Sequence, residues 1–287
     1  MQANFLSAVL LPLALSIIMM GLGLSLQLED FKRVVTFPKA VVLGLFCQMI
    51  LLPVICYFIA IGFGLSPELA VGLMLLSASP GGPTANLYSH ISKGDVALNV
   101  TLTALNSLIS IFSITIIVNF AMKQFMQSDQ YVPLQFSKVL EVVMIVLLPV
   151  SIGMIVRSKF SKLAAALDKP VKIASAIFLT LVIILTLLKE KSHIVDDFKV
   201  VGLATLTLNV ASMAIGYFVP LFFQLGKKQA IAIGMEIGIH NGTLAIFIAL
   251  TVIGNSTMSI PPVIYSLLMF FTAAIFGYLV NIGRKNA

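Results

Sequence analysis

Glu236 is the only acid between residues 229 and 254, and its neighbours are small or polar: Gly234-Met235-Glu236-Ile237-Gly238-Ile239-His240-Asn241-Gly242-Thr243. A carboxyl group in so apolar a stretch either stays neutral and glues helices together or meets a cation. The glycines and the His240-Asn241 pair beside it favour the cation. A second polar run, Ser77-Ala78-Ser79-Pro80-Gly81-Gly82-Pro83-Thr84-Ala85-Asn86, interrupts another apolar stretch. Two prolines and two glycines in four residues cannot continue a helix, because each proline removes an amide donor and clashes with the preceding turn. A third set, Asn99, Thr103 and Asn106, shares one helix face at i, i+4 and i+7. Gln48 lies alone in a further apolar run. Side-chain amides, hydroxyls and one carboxylate offer oxygen, the donor atom of hard cations. Nitrogen and sulfur ligands, in contrast, are scarce: the two cysteines, Cys47 and Cys56, share one apolar stretch and suggest neither a disulfide framework nor a zinc site.

The elements that hold these residues must lie in lipid. Of 287 residues, 59% are hydrophobic and 10% are charged, against roughly 25% charged in soluble domains. Apolar stretches of about 20 residues read as membrane-spanning helices. Nine are expected, at 5–27, 39–62, 67–92, 96–123, 134–157, 170–189, 199–224, 229–254 and 260–282. With the N-terminus outside, the inner loops carry thirteen of the 18 Lys and Arg residues and the outer loops five. That asymmetry fits nine crossings with the C-terminus inside, in a cell (inner) membrane. The net charge of +7 is therefore a topology signal and not a nucleic-acid one. The first stretch has no basic leader and reads as a span, not a cleaved signal.

The two interruptions fall inside the third and eighth spans. At 1.5 Å per residue, Glu236 and Thr103 lie about 12 Å from the inner face, Gln48 about 13 Å and Asn86 about 10 Å. They approach one midplane layer. Glu29-Asp30-Phe31-Lys32 recurs as Asp196-Asp197-Phe198-Lys199, and Pro80-Gly81-Gly82-Pro83-Thr84-Ala85 is echoed by Ile239-His240-Asn241-Gly242-Thr243-Leu244. Five spans separate equivalent positions, so the copies point in opposite directions, as in secondary transporters with broken helices. The breaks create helix N-termini after Pro83 and after Gly242, whose partial positive charge suits an anion. The arrangement suggests cation-coupled anion transport.

Pro80-Gly81-Gly82, Asn86, Lys93-Gly94-Asp95-Val96-Ala97-Leu98 and Glu236-Ile237-Gly238-x-x-Asn241 resemble the bile acid:sodium symporter family. The resemblance covers nearly the whole chain, including Met20-Gly21-Leu22-Gly23-Leu24 and Gln48 before Pro53. Bacterial members often have ten helices, and this chain resembles one lacking the first. The resemblance implies an all-α transporter with a core, roughly 39–123 and 199–282, and a panel made from the remaining helices, the two moving against each other in a single domain. It implies two Na⁺ sites. The first would use Asn86, Asn99, Thr103, Glu236 and backbone oxygen near Ala85. The second would use Gln48, Glu236, His240 and backbone oxygens of Ile237 and Ile239. Substrate would meet Pro83, Thr84 and Asn241. Three departures stand out: Ala85 and Asn99 replace usual serines, and Pro83 replaces a usual threonine. A fourth, His240 for a usual glutamine, puts nitrogen in the second site.

Glu141, His90 and His193 read as interfacial or solvated. The 13 Met and 20 Phe residues read as lipid-facing and packing residues. Phosphate-loop and metalloprotease signatures are absent. An enzyme would need a second buried acid, base or nucleophile near Glu236, and none but His240 is present. The expected function is sodium-coupled symport of an organic anion, bile-acid-like or a smaller carboxylate or sulfonate, by alternating access. The alternative is a cation/proton antiporter with crossed helices, which would want an acid where Asn99, Thr103 and Asn106 stand.

Overall fold

A computed structural model describes residues 11–126, 136–189 and 191–282. Both termini, on which the expected orientation was framed, lie outside the described residues, as do the side chains of Glu141 and His193. Every regular element among the described residues is helical, apart from a single bridge discussed below.

Apolar sequence without internal water must satisfy its backbone locally, and helices do so. The first is α1 (Leu11–Ser25). The charged run after it was expected to be a loop. It forms a short helix instead, α2 (Leu28–Thr36), with Glu29 and Asp30 in its first turn and a bend of 75° from α1. Asp30 Oδ2 accepts the Gln27 amide at 2.8 Å and starts that helix.

The next span is one rod with a defect. α3 (Pro38–Phe46) passes through a wide π turn, Cys47–Leu51, into α4 (Leu52–Gly62). Pro53 has no amide to donate to the preceding turn, and the widened turn directly before it absorbs the mismatch. Gln48 sits in that turn.

The third span is split into α5 (Pro67–Ala78) and α6 (Thr84–Ile91), with Ser79 extended between them. Lys93 adopts a left-handed conformation (φ 59°) to reverse the chain, and Asp95 Oδ1 caps α7 (Val96–Phe125) through the Leu98 amide at 3.1 Å. Then come α8 (Phe136–Lys159), α9 (Ser161–Lys189) and α10 (Lys191–Phe222). The eighth span is split into α11 (Lys227–Gly238) and α12 (Gly242–Phe247), the latter running into a second π turn, Ile248–Ile253. A left-handed Gly254 (φ 78°) and a short 3-10 turn lead into α13 (Ile260–Leu279).

Helix thus occupies each of the nine expected stretches. Among the described residues, four helices are long and apolar enough to cross a membrane, or five if the bent α1–α2 pair is one span. The split spans fall below that length because each break divides them.

The two halves repeat the same local bonds. Phe63, Gly64 and Leu65 donate to Ile59, Ile61 and Ala60, while Phe223, Gln224 and Leu225 donate to Val219, Leu221 and Pro220. One constant shift along the chain relates all six pairs of positions. Gly64 (φ 59°) and Gln224 (φ 60°) occupy the same left-handed turn position. α1 packs chiefly on α8 and α9, and α10 packs on α11 and α13.

Candidate functional site

The two breaks meet. Gly81 and His240 form an antiparallel bridge. The Gly82 amide donates to Ile239 O at 2.6 Å and the Asn241 amide to Pro80 O at 2.8 Å. The shift that carries Gly82 onto Asn241 also carries Pro80 onto Ile239, so each bond is the other's counterpart. A broken helix leaves carbonyls and amides that lipid cannot satisfy. Here each break supplies the partners of the other. Gly82 fits because an added Cβ would lie 3.1 Å from His240 O.

Glu236 occupies the last full turn of α11 before this crossing and is completely buried. Thr103 Oγ1 donates to its Oε2 at 2.6 Å, and Asn106 Nδ2 donates to Oε1 at 3.0 Å. Both come from the polar face of α7. Gly81 lies against the same carboxylate, and an added Cβ there would overlap it. The carboxylate thereby ties α11, α7 and the first break together.

Several of the expected residues carry acceptors without donors. Gln48 Oε1, Asn86 Oδ1, Asn99 Oδ1 and Asn106 Oδ1 are buried and have no hydrogen-bond partner. An unsatisfied buried polar atom costs about 1–3 kcal/mol. Buried lone pairs lacking donors are what a desolvated cation would satisfy. Where the amide nitrogen is engaged, its bond fixes which end is oxygen. Asn99 Nδ2 donates to Ala232 O at 2.8 Å. Gln48 Nε2 donates to Ser77 O at 3.2 Å and Ser79 O at 2.8 Å. His240 Nδ1 lies 3.0 Å from the same Ser79 carbonyl. A carbonyl only accepts, so the imidazole proton is on Nδ1. Nε2 then carries a lone pair, and it too is buried without a partner.

The other expected residues divide by exposure. Ala85, Ile237 and Ile239 are fully buried. The Ile239 carbonyl accepts the Gly82 amide and keeps a second lone pair. Pro83 is half-buried at the N-cap of α6 and Thr84 is exposed in its first turn. Asn241 is buried, and its Oδ1 caps α12 by accepting the Leu244 amide at 3.1 Å. The two positive helix ends are therefore unequal: that of α6 is open and has no side-chain cap, while that of α12 is closed by its own asparagine. α12 also begins at Gly242, so the cap sits one residue earlier than the sequence suggested. His90 is exposed at the end of α6.

A clamp at the second break was missed. Asn209 Nδ2 and Tyr265 Oη both donate to Gly238 O at 2.9 Å, and the Tyr265 ring lies 5.3 Å from that of His240. Gln48 and Asn209 do the same work on the carbonyls of Ser79 and Gly238, which are counterparts by the shift that relates the two breaks. The signal was available: Asn209 follows Gln48 by nearly that same shift.

Residues 12–197 match the model of the Sodium Bile acid symporter family. The chain is 24% identical over 273 residues to the probable sodium/metabolite cotransporter BASS1, chloroplastic, of Arabidopsis thaliana, covering 95% of this chain and 66% of the relative. It therefore spans just under two thirds of that plant protein. It is 25% identical over 252 residues to the uncharacterized sodium-dependent transporter YocS of Bacillus subtilis (strain 168), covering 88% and 77%. With the ileal sodium/bile acid cotransporter of Homo sapiens it shares 24% over 279 residues, covering 95% and 80%.

Proposed function

The chain belongs to the sodium bile acid symporter family, whose members are transporters and not enzymes, and on that premise we propose that it couples inward Na⁺ movement to uptake of an organic anion. The observation that carries this reading is the buried carboxylate of Glu236, held by Thr103 and Asn106, with the amide oxygens of Asn106 and of Asn99 on the same helix lacking donors. One Na⁺ is held by Glu236, Asn86, Asn99 and Thr103 with a carbonyl near Ala85. A second is held by Gln48, Glu236, His240 and the carbonyls of Ile237 and Ile239.

The substrate is an organic anion, a carboxylate or sulfonate. It meets the open N-terminus of α6 at Pro83 and Thr84, with Asn241 across the crossing. Support comes from the exposure of Thr84 and from the uncapped helix end, whose amide dipoles favour negative charge. Sodium offsets the charge of Glu236 and steadies the two breaks, so that substrate meets an ordered site. Alternating access follows as a panel of α1, α2, α8 and α9 shifts against a core of the other helices, in a chain crossing a cell membrane nine times with its N-terminus outside.

The test is uptake into proteoliposomes of labelled organic acids, selected by thermal shift with NaCl or KCl. Each ligand must strengthen the other, since coupling is reciprocal, and each stabilises the fold by RT ln(1 + [L]/Kd). Glu236→Gln is expected to abolish sodium-stimulated uptake while the chain still inserts. Uptake equal to that of the parent, or proton flux with no organic solute moving, would overturn the reading.

A further inference from the structure

Among the described residues, Asn106 is the one side chain that both bonds Glu236 and keeps a free oxygen. It is completely buried on α7. Its Nδ2 donates to Glu236 Oε1 at 3.0 Å, and its Oδ1 has no partner. A carboxylate oxygen only accepts, so the NH₂ must face it. One turn back on the same helix, Thr103 donates to the other carboxylate oxygen, and beyond it Asn99 holds a second free amide oxygen. The protein donors thus occupy Glu236 in the way a cation would, by placing positive hydrogens against negative oxygens.

A cation at the carboxylate reverses the requirement. It repels the NH₂ of Asn106 and attracts its oxygen. Rotation about the terminal torsion of an asparagine exchanges the two, and that torsion is broad and roughly two-fold. The rotation gives Oδ1, which has no partner in this structure, the ion as its partner. We propose that Asn106 is an additional Na⁺ ligand of the Glu236 site, holding the carboxylate through its NH₂ when no ion is present and presenting Oδ1 when one is. This rests on the reading of Glu236 as a sodium ligand.

The experiment measures the half-saturating NaCl concentration of the full-length chain in detergent, by thermal shift and by ²²Na⁺ binding, with KCl as the control. Three variants are compared: Asn106→Leu, Asn106→Asp and Glu236→Gln. Loss of a metal-supporting group costs about 10–100-fold in affinity, so Asn106→Leu is expected to raise half-saturation about tenfold or more. Asn106→Asp keeps oxygen, loses the amide donor and adds a negative charge beside Glu236, so it is expected to bind Na⁺ at most about threefold more weakly than the parent. Equal losses in the two would assign Asn106 to holding the carboxylate alone and overturn the proposal. A parent-like Asn106→Leu would overturn it as well. If Asn106→Leu fails to fold, Asn106→Ala makes the same comparison. A Glu236→Gln that binds Na⁺ like the parent would overturn the underlying reading, and the role of Asn106 with it. A Glu236→Gln that loses Na⁺ beside a parent-like Asn106→Leu removes Asn106 alone.

Discussion

Gly81 shows how closely the site is built at the scale of single residues. Its missing side chain is what lets the first break lie against the Glu236 carboxylate. Gly81→Ala would force either the carboxylate or the crossing to move. Overpacking of this kind costs about 1–3 kcal/mol, and about 1.4 kcal/mol is tenfold in affinity. Gly81→Ala is therefore expected to weaken sodium dependence about tenfold in ²²Na⁺ binding while leaving membrane insertion intact. Parent-like binding would mean that the two breaks are further apart than their bonds indicate. Residue identity in the sequence pointed to Glu236, Gln48, Asn99 and Thr103 because each is polar where lipid or packing should forbid it. It did not reveal that Asn241 spends its oxygen on capping α12, since the side chain's choice between cap and ligand depends on where the next turn starts.

At the scale of elements, the breaks, the π turn before Pro53 and the packing of α1 on α8 all arise from residues that a regular helix tolerates poorly. Gly23 and Gly153 face one another where α1 meets α8: a Cβ on Gly23 would strike Val150 O, and one on Gly153 would lie 2.8 Å from the Gly23 carbonyl carbon. Small residues at such contacts let membrane helices approach closely. Gly23→Leu is expected to cost about 1–3 kcal/mol and to lower the thermal midpoint in detergent, with the half-saturating NaCl concentration unchanged. An unchanged midpoint would show that the contact contributes nothing to stability. The α2 helix was not legible as such. Its charges suggested a loop, but Leu28, Phe31 and Val34 recur at helical spacing, Phe31 and Val34 pack against the core, and Asp30 caps the first turn.

At the scale of the whole molecule, the loops sort themselves onto faces. The Asp95 amide donates to Lys228 O at 2.9 Å, and Asn281 Nδ2 donates to Ser92 O at 2.9 Å. The turn after α6, the start of α11 and the end of α13 therefore share one face, the same three loops that the Lys and Arg asymmetry assigns to the inside. Both native cysteines are buried, so single added cysteines can report topology against a quiet background. A membrane-impermeant maleimide is expected to label Lys93→Cys and Lys227→Cys from the cytoplasmic side alone, and Ser66→Cys from the outside alone. Labelling of Lys93→Cys and Lys227→Cys from opposite sides would break the proposed topology.

Composition, the positions of proline and glycine, and the one acid beside the second break were enough to expect membrane helices, two breaks and a buried carboxylate. These depend on chain-local physics: what a helix can continue through, and what lipid will accept. The pairing of the breaks, the hold of Thr103 and Asn106 on Glu236 and the clamp from Asn209 and Tyr265 were decided only by tertiary structure. Each joins residues more than two dozen positions apart, and sequence spacing does not say which of several buried donors reaches a given carbonyl first. The repeat stood between the two. The echo of Thr84 in Thr243 has the separation that the hydrogen bonds of the crossing obey, but in sequence it rests on that one shared threonine. What the two halves share is backbone geometry, and many side chains can satisfy the same turn.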